Sequence, residues 1–191
     1  MEAHDPIPDA PRRAPRSRSV KSEALVITGA PGSGKSTVLG MVGTLLEIDG
    51  IAFAAVECDE LARGWPYPPL PEVLARLAAV TALQRQAGRS LTLVVATTET
   101  DGELEQVIEA IGAERTLVVC LRAPADVVAG RVGAREPDAW PGKQHLVAHA
   151  CVLALQIPDL GRIDAVIDSS AQLPATVAGE VHGLLRGWTR R

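Results

Sequence analysis

The sequence predicts a single α/β domain whose parallel sheet is covered by helices on both faces. Three observations carry this expectation. Apolar runs of four to six residues recur as unbroken blocks rather than as alternating patterns, which suits strands buried on both faces. Segments with helical spacing separate these runs. Between the first run and the first helical segment stands Gly29-Ala30-Pro31-Gly32-Ser33-Gly34-Lys35-Ser36, a complete G-x-x-x-x-G-K-[ST] phosphate-binding loop.

The elements follow in order. Residues 24–28 (Ala-Leu-Val-Ile-Thr) form the first strand. Residues 36–47 form the first helix, with Val38, Met41, Val42, Leu45 and Leu46 on one face. A second strand spans 52–57. A helix over 71–87 carries Pro71 in its first turn, where the missing N–H does no harm. Residues 91–96 are the third strand, and 101–111 a helix with Asp101 as N-cap. Residues 116–121 are the fourth strand, followed by a helix over 124–135 opened by Pro124. A helix over 143–157, a fifth strand over 165–168 and a closing helix over 174–187 complete the domain. No internal repeat and no linker follow residue 23. Residues 1–22 differ, because Pro6, Pro8, Pro11 and Pro15 mix with Arg12, Arg13, Arg16, Arg18 and Lys21 and leave little to bury. They are expected to form a disordered tail ahead of a domain spanning 23–191.

Composition narrows the function classes. A chain of 191 residues can bury one substantial core. Net charge is −4, and without the tail 14 basic residues face 20 acidic ones, leaving −6. Nothing global therefore points to nucleic acid or to an anionic membrane. A basic tail can touch RNA, but a solubilising extension explains it more simply. No apolar run is long enough to span a bilayer, and residues 1–23 lack the apolar stretch of a secretory signal. Cys58, Cys120 and Cys151 are odd in number and far apart. They fit neither a disulfide framework nor a zinc site, so reduced thiols in the cytoplasm are expected.

The loop states its own chemistry. Gly29, Gly32 and Gly34 let backbone N–H groups turn inward around phosphate oxygens. Ala30, Pro31, Ser33 and Thr37 complete the wrapping segment, and the helix N-terminus adds partial positive charge. Lys35 suits the β- and γ-phosphates, and the Ser36 hydroxyl suits Mg²⁺. ATP with Mg²⁺ is the expected ligand. The glycines do not spell G-x-G-x-x-G, which disfavours a dinucleotide fold. No Asn-Lys-x-Asp guanine-reading motif is present. A motor ATPase would end its third strand in an acid, whereas here that strand runs into Ala96-Thr97-Thr98, with Glu99 and Asp101 the nearest acids.

Val56-Glu57-Cys58-Asp59 resembles the Asp-x-Asp at the end of the second strand of shikimate, gluconate and adenylylsulfate kinases, with Glu in the first place. Leu121-Arg122-Ala123-Pro124, leading to Arg131 and Arg135, is similar to the strand, helix and Arg-x-x-x-Arg lid entry of gluconate-kinase-like and nucleoside-monophosphate-kinase-like proteins. Asp164-Ala165-Val166-Ile167-Asp168-Ser169-Ser170 resembles their last strand and the loop beside the adenine. The resemblance runs over residues 24–188. It implies a P-loop NTPase three-layer sandwich with strand order 2-3-1-4-5 and a lid at about 131–143. It also implies transfer of the ATP γ-phosphate to a hydroxyl of a small molecule. Asp59 would accept or orient the hydroxyl proton, and Glu57 would assist Mg²⁺.

Each assignment has a plainer alternative. Arg131 and Arg135 stand at i and i+4 on one helix face, where a polyphosphate would offset their repulsion, or they are solvated surface arginines. Asp59 also suits a turn or N-cap. Trp65 and Tyr67, two of only five aromatic residues, would border the acceptor or pack under a loop. Arg63, Arg76, Arg85 and Arg89 are available to hold an anion, yet the segment 97–103 is acidic, which disfavours a carboxylate acceptor. His145 and His149 share helical spacing, but Leu146 stands where a zinc protease has Glu, so partly buried histidines are expected. Trp140 would cover the nucleotide or anchor its loop. The rival reading of the whole is a nucleotide-binding ATPase or regulatory P-loop protein with no small-molecule acceptor.

Overall fold

The computed structural model describes residues 21–190. Strand β1 (Glu23–Thr28) leads through the phosphate loop to α1 (Lys35–Ile48), β2 (Phe53–Glu57) and a one-turn α2 (Cys58–Leu61). Then come α3 (Leu70–Gln86), β3 (Leu91–Val95), α4 (Asp101–Ile111), β4 (Arg115–Arg122) and α5 (Ala125–Arg135). Helix α6 (Lys143–Gln156) runs on as a 3-10 turn over Ile157–Asp159, and β5 (Ala165–Asp168) and α7 (Pro174–Thr189) end the fold. All pairings are parallel, as the apolar runs predict, and the strand order is β2-β3-β1-β4-β5, as the resemblance implies.

The unbroken apolar strands have a direct cause. Side chains alternate across a strand, so both faces must be apolar when both are covered. Leu25 and Ile27 pack with Val38, Val42 and Leu46 of α1 and Val177, Val181 and Leu185 of α7. Ala24 and Val26 pack on the other face with Leu77 of α3 and Leu104, Val107 and Ile111 of α4. Each fully buried Leu, Ile or Val contributes about 1.5–3 kcal/mol. A third cluster joins Val128 and Val132 of α5 to Ala150 and Leu153 of α6, and it reaches Ala30 at the start of the loop. Helices α5 and α6 are thereby held against the phosphate loop.

Register brings the strand ends together. Ile27 pairs with Val95 and Val119, and Val95 pairs with Glu57. The C-terminal ends of β1, β2 and β3 therefore stand at one edge of the sheet, where doubly wound folds place their ligands.

Two details differ from expectation. Thr100, not Asp101, caps α4: its backbone is extended and its side chain accepts from the Glu103 N–H at 3.2 Å. The Glu103 carboxylate in turn accepts from the Glu99 N–H at 2.8 Å, a close relative of the capping box. Asp101 already lies in the helix, and its carboxylate accepts from the Gly161 N–H at 2.7 Å. Asp59 lies inside the one-turn α2, and Glu57 rather than Asp59 is its N-cap. Of the expected tail, residues 1–20 lie outside the described residues, whereas Ser22 joins the fold through hydrogen bonds with Glu114. No described helix is long and apolar enough to cross a membrane.

Candidate nucleotide and acceptor site

The loop between β1 and α1 is shaped by close backbone approach. Gly29 has φ +140°, and a Cβ there would stand 2.4 Å from the Leu121 carbonyl oxygen. Gly32 has φ +84°, and its Cβ would meet the Val128 carbonyl oxygen at 2.9 Å. Only glycine fits either place. Gly34, also left-handed, is the N-cap of α1 and makes no side-chain cap, so the first N–H groups of the helix stay open. The Ser33 hydroxyl is buried with no hydrogen-bond partner. A buried orphan donor beside open N–H groups is the environment an anion completes.

Lys35 opens α1 and is buried. Its Nζ donates to the carbonyl oxygens of Gly29 at 2.8 Å and Ala30 at 3.1 Å. Burial pulls its pKa down to about 8 against the opposing field of Asp59, with Arg135 adding to the depression. The ammonium is held in place and short of a counter-charge. Cys120 lies close by, and burial pushes its thiol up to about 11, so it stays neutral. The Cys58 thiol is likewise pushed up to about 12 by burial.

Ser36 and Glu57 meet: the Ser36 Oγ donates to Glu57 Oε2 at 2.5 Å. The loop hydroxyl and the carboxylate at the end of β2, separate in sequence, form one oxygen-rich pair. Hard divalent cations such as Mg²⁺ prefer such a pair when phosphate oxygens complete the set. These donors fit a Mg²⁺–nucleotide, and so do the cradle and the orphaned Ser33 hydroxyl.

Above the loop opens a cleft of about 670 Å³, lined by residues of the loop together with Asp59, Thr97, Glu99, Arg131, Arg135, Leu146, His149 and Leu153. Asp59 sits in the first turn of α2, exposed, with its carboxylate free of hydrogen bonds among the described residues. Arg131 and Arg135 both lie on α5 and both face the cleft. Arg131 donates to the carbonyl oxygens of Gly32 at 3.2 Å and Ser169 at 2.9 Å, while Arg135 pairs with Glu136 at 2.6 Å. Arg131 is exposed, and its hydrogen bonds tie α5 to both the phosphate loop and the turn after β5. The Ser169 hydroxyl closes that triangle by donating to the Ser33 carbonyl oxygen at 2.8 Å. A side pocket of about 220 Å³ continues past Thr37 and Arg131 to Gln172 and Pro174.

Other expectations fare differently. Trp65 and Tyr67 contact each other edge to face at 6.0 Å but are 89% and 76% exposed, and neither lines the cleft. His145 and His149 stack at 6.2 Å, and His149 hydrogen-bonds Glu99 at 2.7 Å. Sequence reading passed over Glu99, Thr97, Leu146 and Leu153 as members of the cleft. The one available signal was the acidic stretch after β3.

A family profile described as an AAA ATPase domain matches residues 9–139, which include the phosphate loop. No curated protein matches the sequence. Among solved structures, an unliganded sugar kinase from Janibacter sp. HTCC2649 is 22% identical, with 86% of this chain and 95% of that chain covered at a TM-score of 0.61. Shikimate kinase from Acinetobacter baumannii, in complex with shikimate, is 15% identical over 87% of this chain and 94% of that one, at 0.57. The adenylylsulfate (APS) kinase of Mycobacterium tuberculosis, in complex with AMPPNP and APS, is 17% identical over 87% and 98%, at 0.58. At these identities the likeness is one of fold, the fold of P-loop small-molecule kinases. The profile match covers well over half of the chain and takes in the cradle, the lysine and the Glu57–Asp59 strand end: this chain belongs to the AAA ATPase domain family and is a P-loop nucleotide-binding protein.

Proposed function

We propose that the protein is a phosphotransferase that moves the γ-phosphate of ATP to a hydroxyl of a small molecule. One observation carries this reading. The end of β2 offers two carboxylates with different surroundings: Glu57 is bound to Ser36, and Asp59 stands free in the same cleft as Lys35. One suits the metal beside the phosphates and the other suits a hydroxyl approaching them.

The roles follow from chemistry. Residues 29–37 hold the phosphates through main-chain N–H groups and the Lys35 charge. Bound Mg²⁺ would supply charge neutralisation at the transferring phosphate, and Ser36 and Glu57 are the residues to hold it. Arg131 and Arg135 supply further positive charge and exclude water when α5 and the loop after it close over the cleft. The side pocket at Thr37, Arg131 and Gln172 suits the nucleoside. Asp59 takes or orients the proton of the acceptor hydroxyl. The domain acting is residues 23–191 with a lid at about 131–143. Its free thiols fit a reducing compartment such as the cytoplasm.

A second reading has its own support. The family is one of ATPases, and Glu99, the nearest acid after the end of β3 at Val95, stands in the cleft. On that reading ATP turns over without an acceptor. Following γ-labelled ATP separates the two. Transfer predicts label in an organic phosphate ester and a rate that depends on the acceptor. Label found solely in inorganic phosphate, at one rate with or without acceptors, establishes the ATPase reading.

A further inference from the structure

The cleft is divided electrically, and the division bears on the acceptor; this step rests on the phosphotransferase reading. Its cations, Lys35, Arg131 and Arg135, stand on the phosphate loop and α5. Its carboxylates, Asp59 and Glu99, stand on α2 and after β3. His149, the remaining titratable lining residue, is committed to Glu99 Oε1 at 2.7 Å. Glu99 Oε2 takes no hydrogen bond from the described residues, and neither does the Asp59 carboxylate.

An anionic acceptor would need a cation on its own side of the cleft. The four arginines available by sequence are all engaged elsewhere. Arg63 pairs with Glu60 at 2.7 Å. Arg76 donates to the Leu61 carbonyl oxygen at 2.6 Å and pairs with Glu72. Arg85 donates to the Ile111 carbonyl oxygen at 2.6 Å, at the end of α4. Arg89 bonds Gln84 at 3.1 Å. None of the four lines the cleft. An acid group brought beside Asp59 and Glu99 would meet like charge from both carboxylates.

We infer that the acceptor is a hydroxylated amine, protonated at neutral pH, such as an amino alcohol or aminosugar. Its ammonium donates to Glu99, with three N–H bonds to offer, and its hydroxyl faces Asp59. Leu146 and Leu153 of α6 give its carbon frame an apolar wall. In transfer the hydroxyl oxygen bonds to the γ-phosphorus. The bond from that phosphorus to the β–γ bridging oxygen breaks, its electron pair leaving with ADP, and the hydroxyl proton passes to the Asp59 carboxylate.

The test uses the full chain saturated with Mg²⁺ and a non-hydrolysable ATP analogue, and measures binding of matched probes by calorimetry. Glucosamine and kanamycin are the cations, their N-acetylated forms the neutral controls, and gluconate the anion. The cations should bind at least tenfold more tightly than their acetylated forms, and gluconate should not bind. Glu99→Gln keeps an acceptor for His149 but removes the charge, and should erase that preference; the analogue's own Kd is the folding control. Equal binding of cationic and neutral probes overturns the inference. So does preferred binding of gluconate, or no binding by either cation. Product formation from ATP is read in parallel. Phosphorylated gluconate alone overturns the inference and leaves the transferase reading standing. Bound cations with no phosphorylated product from any probe sink the transferase reading while the charge preference stands.

Discussion

The phosphate loop and the carboxylate wall opposite it share one cleft but are held in different ways. The loop is contiguous, glycine-shaped and packed from below: Gly29 and Gly32 touch main-chain carbonyls of β4 and α5, and Lys35 is buried beneath the surface it serves. The wall is assembled from α2, the segment after β3 and α6, and its polar side chains Asp59, Glu99 and His149 are exposed or half-buried. The lesson is a division of labour. On the proposed reading, main-chain groups locked by sterics would hold what every ATP carries, and side chains on separate elements would select what differs between substrates. The halves should therefore fail separately when altered.

The largest effect is expected on the loop side. Lys35→Ala removes the ammonium proposed to meet the phosphates, and transfer or hydrolysis should fall on the order of 10²–10³-fold. The thermal midpoint should hold, because the lost group is a desolvated charge rather than a packed apolar one. A folded Lys35→Ala protein with full turnover would break the comparison at its stronger end.

A smaller effect separates binding from folding by pH. With Lys35 lowered to about 8 in the free protein, a phosphate partner must raise it. Nucleotide binding above pH 8 should take up a proton, and affinity should fall by up to tenfold per pH unit there. The stability of the nucleotide-free protein should move the other way. Between pH 8 and 10.5 the unfolded chain holds the proton that the native lysine has released, so stability rises with pH. Calorimetry in buffers of different ionisation enthalpy checks the first claim, and chemical denaturation across that range checks the second. An affinity flat from pH 7 to 9.5 would remove Lys35 as the charge that pairs with phosphate.

The smallest effect concerns the loop between α5 and α6. It is tied down by Lys143 Nζ, which donates to the Glu136 carbonyl oxygen at 2.9 Å and to Asp138 at 2.7 Å, and by the Arg135–Glu136 pair. Nucleotide binding should draw Arg135 toward the cleft and slow hydrogen exchange across residues 136–142 several-fold. Identical exchange with and without nucleotide would leave Arg135 a surface residue and the cleft without a lid.

How much was legible follows the same division. The loop, the strands and both helical layers could be read because each rests on contiguous residues: a fixed motif, an apolar run, a 3.6-residue spacing; the strand order came from the resemblance to P-loop small-molecule kinases. Glu57 and Asp59 could be singled out because the end of the second strand resembles the Asp-x-Asp of shikimate, gluconate and adenylylsulfate kinases. The wall could not be read that way. Glu99 and His149 are fifty positions apart and meet only because α5 and α6 pack on the loop, a tertiary fact with no local signature. Trp65 and Tyr67 misled because scarcity suggested use, whereas the proline-rich stretch carries them into solvent. Whether the four arginines converge on an anion could not be read, because salt bridges such as Arg63–Glu60 and the Arg85 bond to the end of α4 depend on how neighbouring turns face.

The separability of the two halves is tested most directly at Asp59. Asp59→Asn is nearly isosteric and leaves the loop untouched. Single-turnover transfer and nucleotide Kd should be measured on the same preparation. A base or orienting group acting on the acceptor predicts a transfer rate lower by on the order of 10²-fold with a nucleotide Kd changed by less than about threefold. A weakened Kd with an unchanged transfer rate would place Asp59 in the nucleotide half and contradict the account.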